Sequence, residues 1–237
     1  MKKLVAFAGF SLLAVGAFAQ TNLQVFYDFG KDRKYITTTL EMFKADDWGN
    51  TFFFVDYNYT NKDQRDLGQR GVTFTYMEIE RGLNFWKESS LADLSAHVEF
   101  QASPYTCNWL FGAQYFLHNT DFSNTLTLYA MYKYFRTDNS SDIPIQLSAV
   151  WGMQDIFGVE GLRFSGFADF WGENASWNAG ADKTKFMFLT EPQIWYNAGK
   201  FFNCPNFNVG GEVELSCNFA GNKGFMCNPC LGVKWNF

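Results

Sequence analysis

The last seven residues, Leu231-Gly232-Val233-Lys234-Trp235-Asn236-Phe237, place large apolar side chains at 231, 233, 235 and 237 and small or polar ones between them. Successive side chains of a strand point to opposite faces, so this stretch predicts a strand with one greasy and one polar side, ending on a phenylalanine carboxylate. Trp and Phe exposed at a terminus are a liability in water, whereas a strand with lipid on one face wants that pattern. The same alternation recurs upstream. It is cleanest from Leu94 to Ala102, where Leu94, Ala96, Val98, Phe100 and Ala102 oppose Ser95, His97, Glu99 and Gln101. No helical period accommodates that run.

About twelve such segments are read along the chain, an even number, each long enough to cross a bilayer when tilted. The inward faces follow from parity. They carry Phe26 and Asp28 from the first segment, Glu41 from the second, and Phe52, Phe54 and Asp56 from the third. Tyr76, Glu78 and Glu80 come from the fourth, Tyr129 and Lys133 from the seventh, and Arg163, Asp169 and Trp171 from the ninth. The tenth is read from Lys185 to Tyr196, with Glu191 and Gln193 inward, and Glu212, Glu214 and Lys234 follow on the last two. Arg81 falls on the outer face, which places it at headgroup level or at a bulge. Lys234 is a candidate partner for Glu212 or Glu214. The polar stretches 60–70, 136–144 and 172–184 are read as long connections on one side, and the connection after the first strand is grouped with the short ones on the other.

The beginning of the chain sets the compartment. Lys2-Lys3, an apolar run from Leu4 to Phe18 and Ala17-Phe18-Ala19 make a cleaved signal peptide over residues 1–19, leaving 20–237 as a single domain. Without Lys2 and Lys3 the mature chain holds 17 bases against 24 acids, a net charge of −7, so no nucleic acid partner is expected. With 28 Phe, 20 Gly and 5 Pro, the composition suits an all-β fold. The fold class expected is an antiparallel transmembrane β-barrel. A lipocalin-like soluble barrel also alternates, but about twelve strands exceed its eight and the aromatic load exceeds its interior.

Five cysteines, Cys107, Cys204, Cys217, Cys227 and Cys230, leave at least one unpaired, with partners not deducible from spacing. Cys227-Asn228-Pro229-Cys230 has zinc-knuckle or redox spacing, yet residues three apart on a strand face opposite ways. No metal and no cofactor are expected. His97 and Ser95 share an inner face, the pair a barrel enzyme acting on lipid would use. Such a site belongs at the lipid-facing rim, which the inward assignment contradicts.

Four blocks carry a resemblance. They are Thr39-Leu40-Glu41-Met42-Phe43 with Asp47-Trp48; Tyr76-Met77-Glu78-Ile79-Glu80; Asp155-Ile156-Phe157-Gly158 leading into Phe164-Ser165-Gly166-Phe167-Ala168-Asp169-Phe170-Trp171-Gly172; and the terminal Gly232-Val233-Lys234-Trp235-Asn236-Phe237. In order and spacing they resemble the Tsx-like nucleoside-specific channels of the outer membrane. The resemblance implies a monomeric twelve-stranded barrel in outer-membrane lipid, passing nucleosides along aromatic and ionisable wall residues by passive diffusion. It adds weight to Phe52, Phe54, Glu78, Glu80 and Asp169. The terminal Phe237 also resembles the signal that the insertion machinery reads in outer-membrane barrels generally. A lipid-acting barrel enzyme and a closed structural or receptor barrel stand as alternatives.

Overall fold

The computed structural model of the chain describes residues 20–31, 33–136, 140–177 and 182–237. The expected signal peptide lies outside the described residues. Alternating side chains build β1 (Gln20–Asp28), β2 (Ile36–Asp46), β3 (Gly49–Tyr59), β4 (Val72–Leu83), β5 (Leu94–Ala102), β6 (Cys107–His118) and β7 (Asn124–Phe135). They continue as β8 (Ile145–Gln154), β9 (Leu162–Trp177), β10 (Asp182–Thr190), β11 (Gln193–Tyr196), β12 (Phe207–Cys217) and β13 (Phe225–Asn236). The α-helix among the described residues, α1 (Lys62–Asp66), is one short turn in the connection between β3 and β4.

Neighbouring strands pair antiparallel, and β1 pairs with β13, with Leu23 opposite Trp235, so the sheet closes. β10 and β11 are two halves of one stave, because both pair with β9 and with β12 in a continuous register: Thr190 faces Ala168 and Gln193 faces Ser165. The barrel is therefore twelve staves around, as expected. The break falls at Glu191-Pro192, where proline brings no N–H to the ladder. Gly166 lies opposite it at φ +152°, and a Cβ there would meet the Glu191 carbonyl oxygen at 2.5 Å. Only glycine fits that approach.

The distribution of side chains is inside out for a water-soluble protein. Leu128, Leu147, Phe170, Ile194 and Leu231 stand on the exterior, each two-fifths exposed or more. Aromatic side chains band both ends: Trp48, Phe85, Phe201 and Phe237 at the end holding the termini, and Phe29, Tyr105 and Phe225 at the other. An apolar belt between aromatic girdles is what a lipid-facing surface requires. Leu128→Arg, in the middle of β7, is expected to cost about 2–4 kcal/mol. Urea unfolding of the barrel in lipid vesicles checks this, and an unchanged midpoint would argue that lipid does not contact this face.

Several expectations are corrected. Stretch 172–184 is not a loop for most of its length, because β9 and β10 continue the hairpin to Trp177 opposite Asp182. Strict antiparallel order puts the connection after β1 at the same end as those after β3, β7 and β9, away from the termini. Long connections also occur at the terminal end, at 84–93 and 197–206. Arg81 lies at that terminal end in an ion pair with Asp46 at 2.7 Å, without a bulge in its pairing to β3 or β5. Leu110, absent from the inward set, points inward and is fully buried.

Candidate solute-binding lumen

On β3 and β4, register alone sets aromatic rings against carboxylates. Phe52 lies opposite Glu80, Phe54 opposite Glu78, and Asp56 opposite Tyr76. The rings form a continuous strip, with centroids 6.0 Å apart for Phe52 and Phe54 and 5.8 Å for Phe54 and Tyr76. Polar groups hold the acids between them: the Tyr76 hydroxyl donates to Glu78, and Thr39 Oγ1 donates to Asp56 at 2.5 Å. These inward side chains are half-buried, and because they point into the barrel, their remaining exposure is to the space inside it.

The strip continues into a carboxylate cluster. Gln101 Nε2 donates to Glu99 at 2.6 Å and to Glu78 at 3.1 Å, linking β4 and β5. Asp169 reaches in from β9, within electrostatic range of Glu78, Glu80 and Glu99. The base on this side is Lys133, buried, with Nζ 3.0 Å from Gln146 Oε1 and 4.6 Å from the centre of the Trp171 ring. Tyr129 places its ring edge-on to His97 at 4.9 Å. His97 bonds Gln114 through Nδ1 at 2.9 Å and Glu99 through Nε2 at 3.3 Å, so its ring nitrogens face those groups rather than Ser95.

At the end away from the termini, Arg33, from the connection after β1, folds onto the inner wall. Its guanidinium meets Asp28 at 3.1 Å and Glu214 at 2.7 Å, tying β1 to β12 across the intervening β13. Asn61, the N-cap of α1, donates to the Arg33 carbonyl at 3.0 Å, and Asn228 donates to Glu214 at 3.0 Å. Burial opposes the charge on Arg33, but Glu214, Tyr35 and Asp28 outweigh it and hold the guanidinium above its ordinary value. Burial likewise pushes the Tyr35 hydroxyl up to about 12, so it stays neutral beside that bridge.

Toward the terminal end, Trp195 on β11 is almost wholly buried, 5.6 Å from Phe26, and Lys234 Nζ sits 4.2 Å above its ring. Lys234 therefore caps an aromatic face, and the ion pair expected with Glu212 or Glu214 is not made. The register explains this: Lys234 lies opposite Asn208, while Glu212 lies opposite Cys230 and bonds Gln193 at 2.8 Å. Glu41 accepts from Asn22 at 2.9 Å, and Arg163 donates to Gln154 at 3.2 Å.

The residues expected to line the lumen and bind solute, Phe26, Asp28, Glu41, Phe52, Phe54, Asp56, Tyr76, Glu78, Glu80, Tyr129, Arg163, Asp169 and Trp171, thus lie on the inner wall, but they do not form one site. Phe52, Phe54, Asp56, Tyr76, Glu78, Glu80, Tyr129 and Asp169 share the region lined by β3, β4, β7 and β9. Trp171 stands beside that region on Lys133, and Phe26, Asp28, Glu41 and Arg163 belong to separate contacts around the wall. Arg33 and Trp195 were not singled out. Parity continued past Pro192 places Trp195 inward, whereas nothing in the sequence marks a loop arginine as a bridge. The five cysteines are free, with Cys227 exposed outside and Cys230 buried inside, so the Cys-x-x-Cys spacing does not converge on one site.

A closed antiparallel barrel with an apolar exterior and an ion-rich interior defines the class, a porin-type β-barrel. A KdgM porin superposes with TM-score 0.53 at 10% identity, covering 92% of this chain and 99% of that one. A NanC porin does so with TM-score 0.58 at 8% identity, covering 92% and 100%. These likenesses establish the fold. The family model described as "Domain of unknown function (DUF5020)" matches residues 19–237, and the chain belongs to that family. No curated protein matches the chain by sequence.

Proposed function

We propose that the chain is an outer-membrane channel through which small hydrophilic solutes, nucleosides foremost, diffuse passively. The observation that carries this reading is the checkerboard on β3 and β4, in which each inward aromatic ring has a carboxylate directly across from it. A nucleoside offers a π-face to the rings and ribose hydroxyls to the acids, so one molecule satisfies both, without its base edges being read. The acidic wall disfavours anions. Passage down a gradient needs no cofactor. Outer-membrane lipid is the partner of the apolar belt, Phe237 is presented to the insertion machinery, and the barrel works as a monomer.

Recordings of the purified barrel in planar bilayers test the reading. Conductance that millimolar nucleoside blocks is expected, and Phe54→Ala should weaken the block by about 1–3 kcal/mol of stacking, roughly 5- to 150-fold in blocking concentration. A block unchanged by Phe54→Ala would remove the aromatic strip from the site. A second reading, a barrel closed at the mouth where Arg33 sits, is tested by the same recordings. Wild-type silence combined with conductance in Arg33→Ala would select it, and silence in both would sink the channel.

A further inference from the structure

We propose that Glu80, His97 and Glu99 form a lumenal binding site for a divalent first-row transition-metal ion. The three side chains come from adjacent strands, with Glu80 directly opposite Glu99 and His97 one inward step along β5. His97 Nε2 lies 3.3 Å from a Glu99 oxygen and 3.8 Å from a Glu80 oxygen, and the three donor atoms all fall within 4.8 Å of one another. Bonds of about 2.0–2.2 Å in tetrahedral geometry put ligand atoms roughly 3.3–3.6 Å apart, so two of the three edges are close to bonding spacing already. The Glu80 side chain, 16% exposed, has room to close the third.

The surroundings are those of a ligand held for a metal. Gln114 Oε1 accepts from His97 Nδ1, which fixes the proton there and turns the Nε2 lone pair toward the two carboxylates. That imidazole is fully buried, and its Nε2 faces carboxylate oxygens of Glu99 and Glu80 at 3.3 and 3.8 Å. Two lumenal carboxylates directly across a strand pair repel, and a lone pair aimed between them adds to the conflict. Glycine on both sides makes the room: His97 lies opposite Gly82 on β4 and Gly112 on β6, and a Cβ at Gly82 would collide with the Gln114 amide at 2.8 Å. Gln101 anchors the other Glu99 oxygen at 2.6 Å, leaving Oε2 directed at the imidazole. One imidazole with two carboxylates suits zinc-class ions, and three protein ligands leave a coordination position for lumenal water or a solute.

A proton on Nε2 is the rival occupant, and binding measurements separate the two. The full-length barrel in detergent micelles, with accessible thiols alkylated, is titrated with Co2+ and followed by its visible d–d absorption. One Co2+ per barrel, displaced by Zn2+, is expected. His97→Ala and Glu99→Gln should each weaken binding at least 10-fold, Gln114→Ala about 10- to 100-fold, and Glu160→Gln, in the β8–β9 connection, should change nothing. Absence of stoichiometric Co2+ binding overturns the proposal in favour of the proton, as does binding that Glu99→Gln leaves unchanged. If His97→Ala does not fold, the near-isosteric Glu80→Gln and Glu99→Gln decide. No current is measured, so the outcome is independent of the channel reading.

Discussion

Trp195→Ala is expected to destabilise the barrel by about 3–5 kcal/mol, the cost of emptying a buried tryptophan site. The indole is 2% exposed, packs on Phe26, lies beneath the Lys234 ammonium and donates through Nε1 to Gln193 at 2.9 Å. Its loss would leave a lumenal cation without its aromatic face and the half-buried Gln193 amide without a donor. Neighbouring strands have little means of collapsing into the gap, because their backbones are fixed by the closed ladder. The urea midpoint in detergent checks the figure, and Trp195→Phe should recover much of it by restoring a ring below Lys234. A loss under about 1 kcal/mol would show that the surrounding polar wall, rather than the indole, holds this end together.

Arg33→Ala is the second change with a large expected effect, and on the channel reading proposed above it acts on passage as well as stability. Asp28 and Glu214 are buried at 3% and 10% side-chain exposure, while Arg33 is 24% exposed. Removing one partner of a fully buried pair costs about 3–5 kcal/mol; the exposure of Arg33 brings the expectation down to roughly 2 kcal/mol. The same change removes a cation from the wall at this mouth, so single-channel conductance should rise and cation preference should sharpen as two carboxylates are uncovered. Arg33→Lys should restore charge without the two-pronged contact, giving intermediate stability. Conductance identical to wild type would mean the bridge lies beside the path of the solute rather than across it.

The wall of the barrel was legible because a two-residue period survives errors of a few residues at strand ends. Once Leu23, Leu94 and Leu231 are set outside, the inward placement of Gln24, His97 and Lys234 follows without knowledge of any contact. Parity also carried through the Glu191-Pro192 break, where pairing lapses but the register does not. What parity cannot supply is the distance between residues on different strands. Lys234 and Glu212 share the lumen, yet register sets them apart, and a buried indole is the nearer partner of the ammonium. Arg33 was illegible for a different reason: it lies in an irregular connection, whose course depends on Asn61 in another loop. The hairpin extension to Trp177 was hidden by polar composition, since strands rising beyond lipid need no apolar face.

The pairing of β1 with β13 joins the first and last strands: Asn22 faces Asn236, and the Phe237 amide donates to the Thr21 carbonyl at 2.9 Å. Every other stave contact joins neighbours in sequence, so this one seam requires the longest loop closure in the molecule and is rewarded only after the rest of the sheet is in place. Assembly therefore has a latest step written into its topology. Until that step, β1 and β13 are both open edges with unpaired backbone groups, the condition that invites pairing with another chain. Assembly must therefore hold those edges apart from other barrels and bring them to each other.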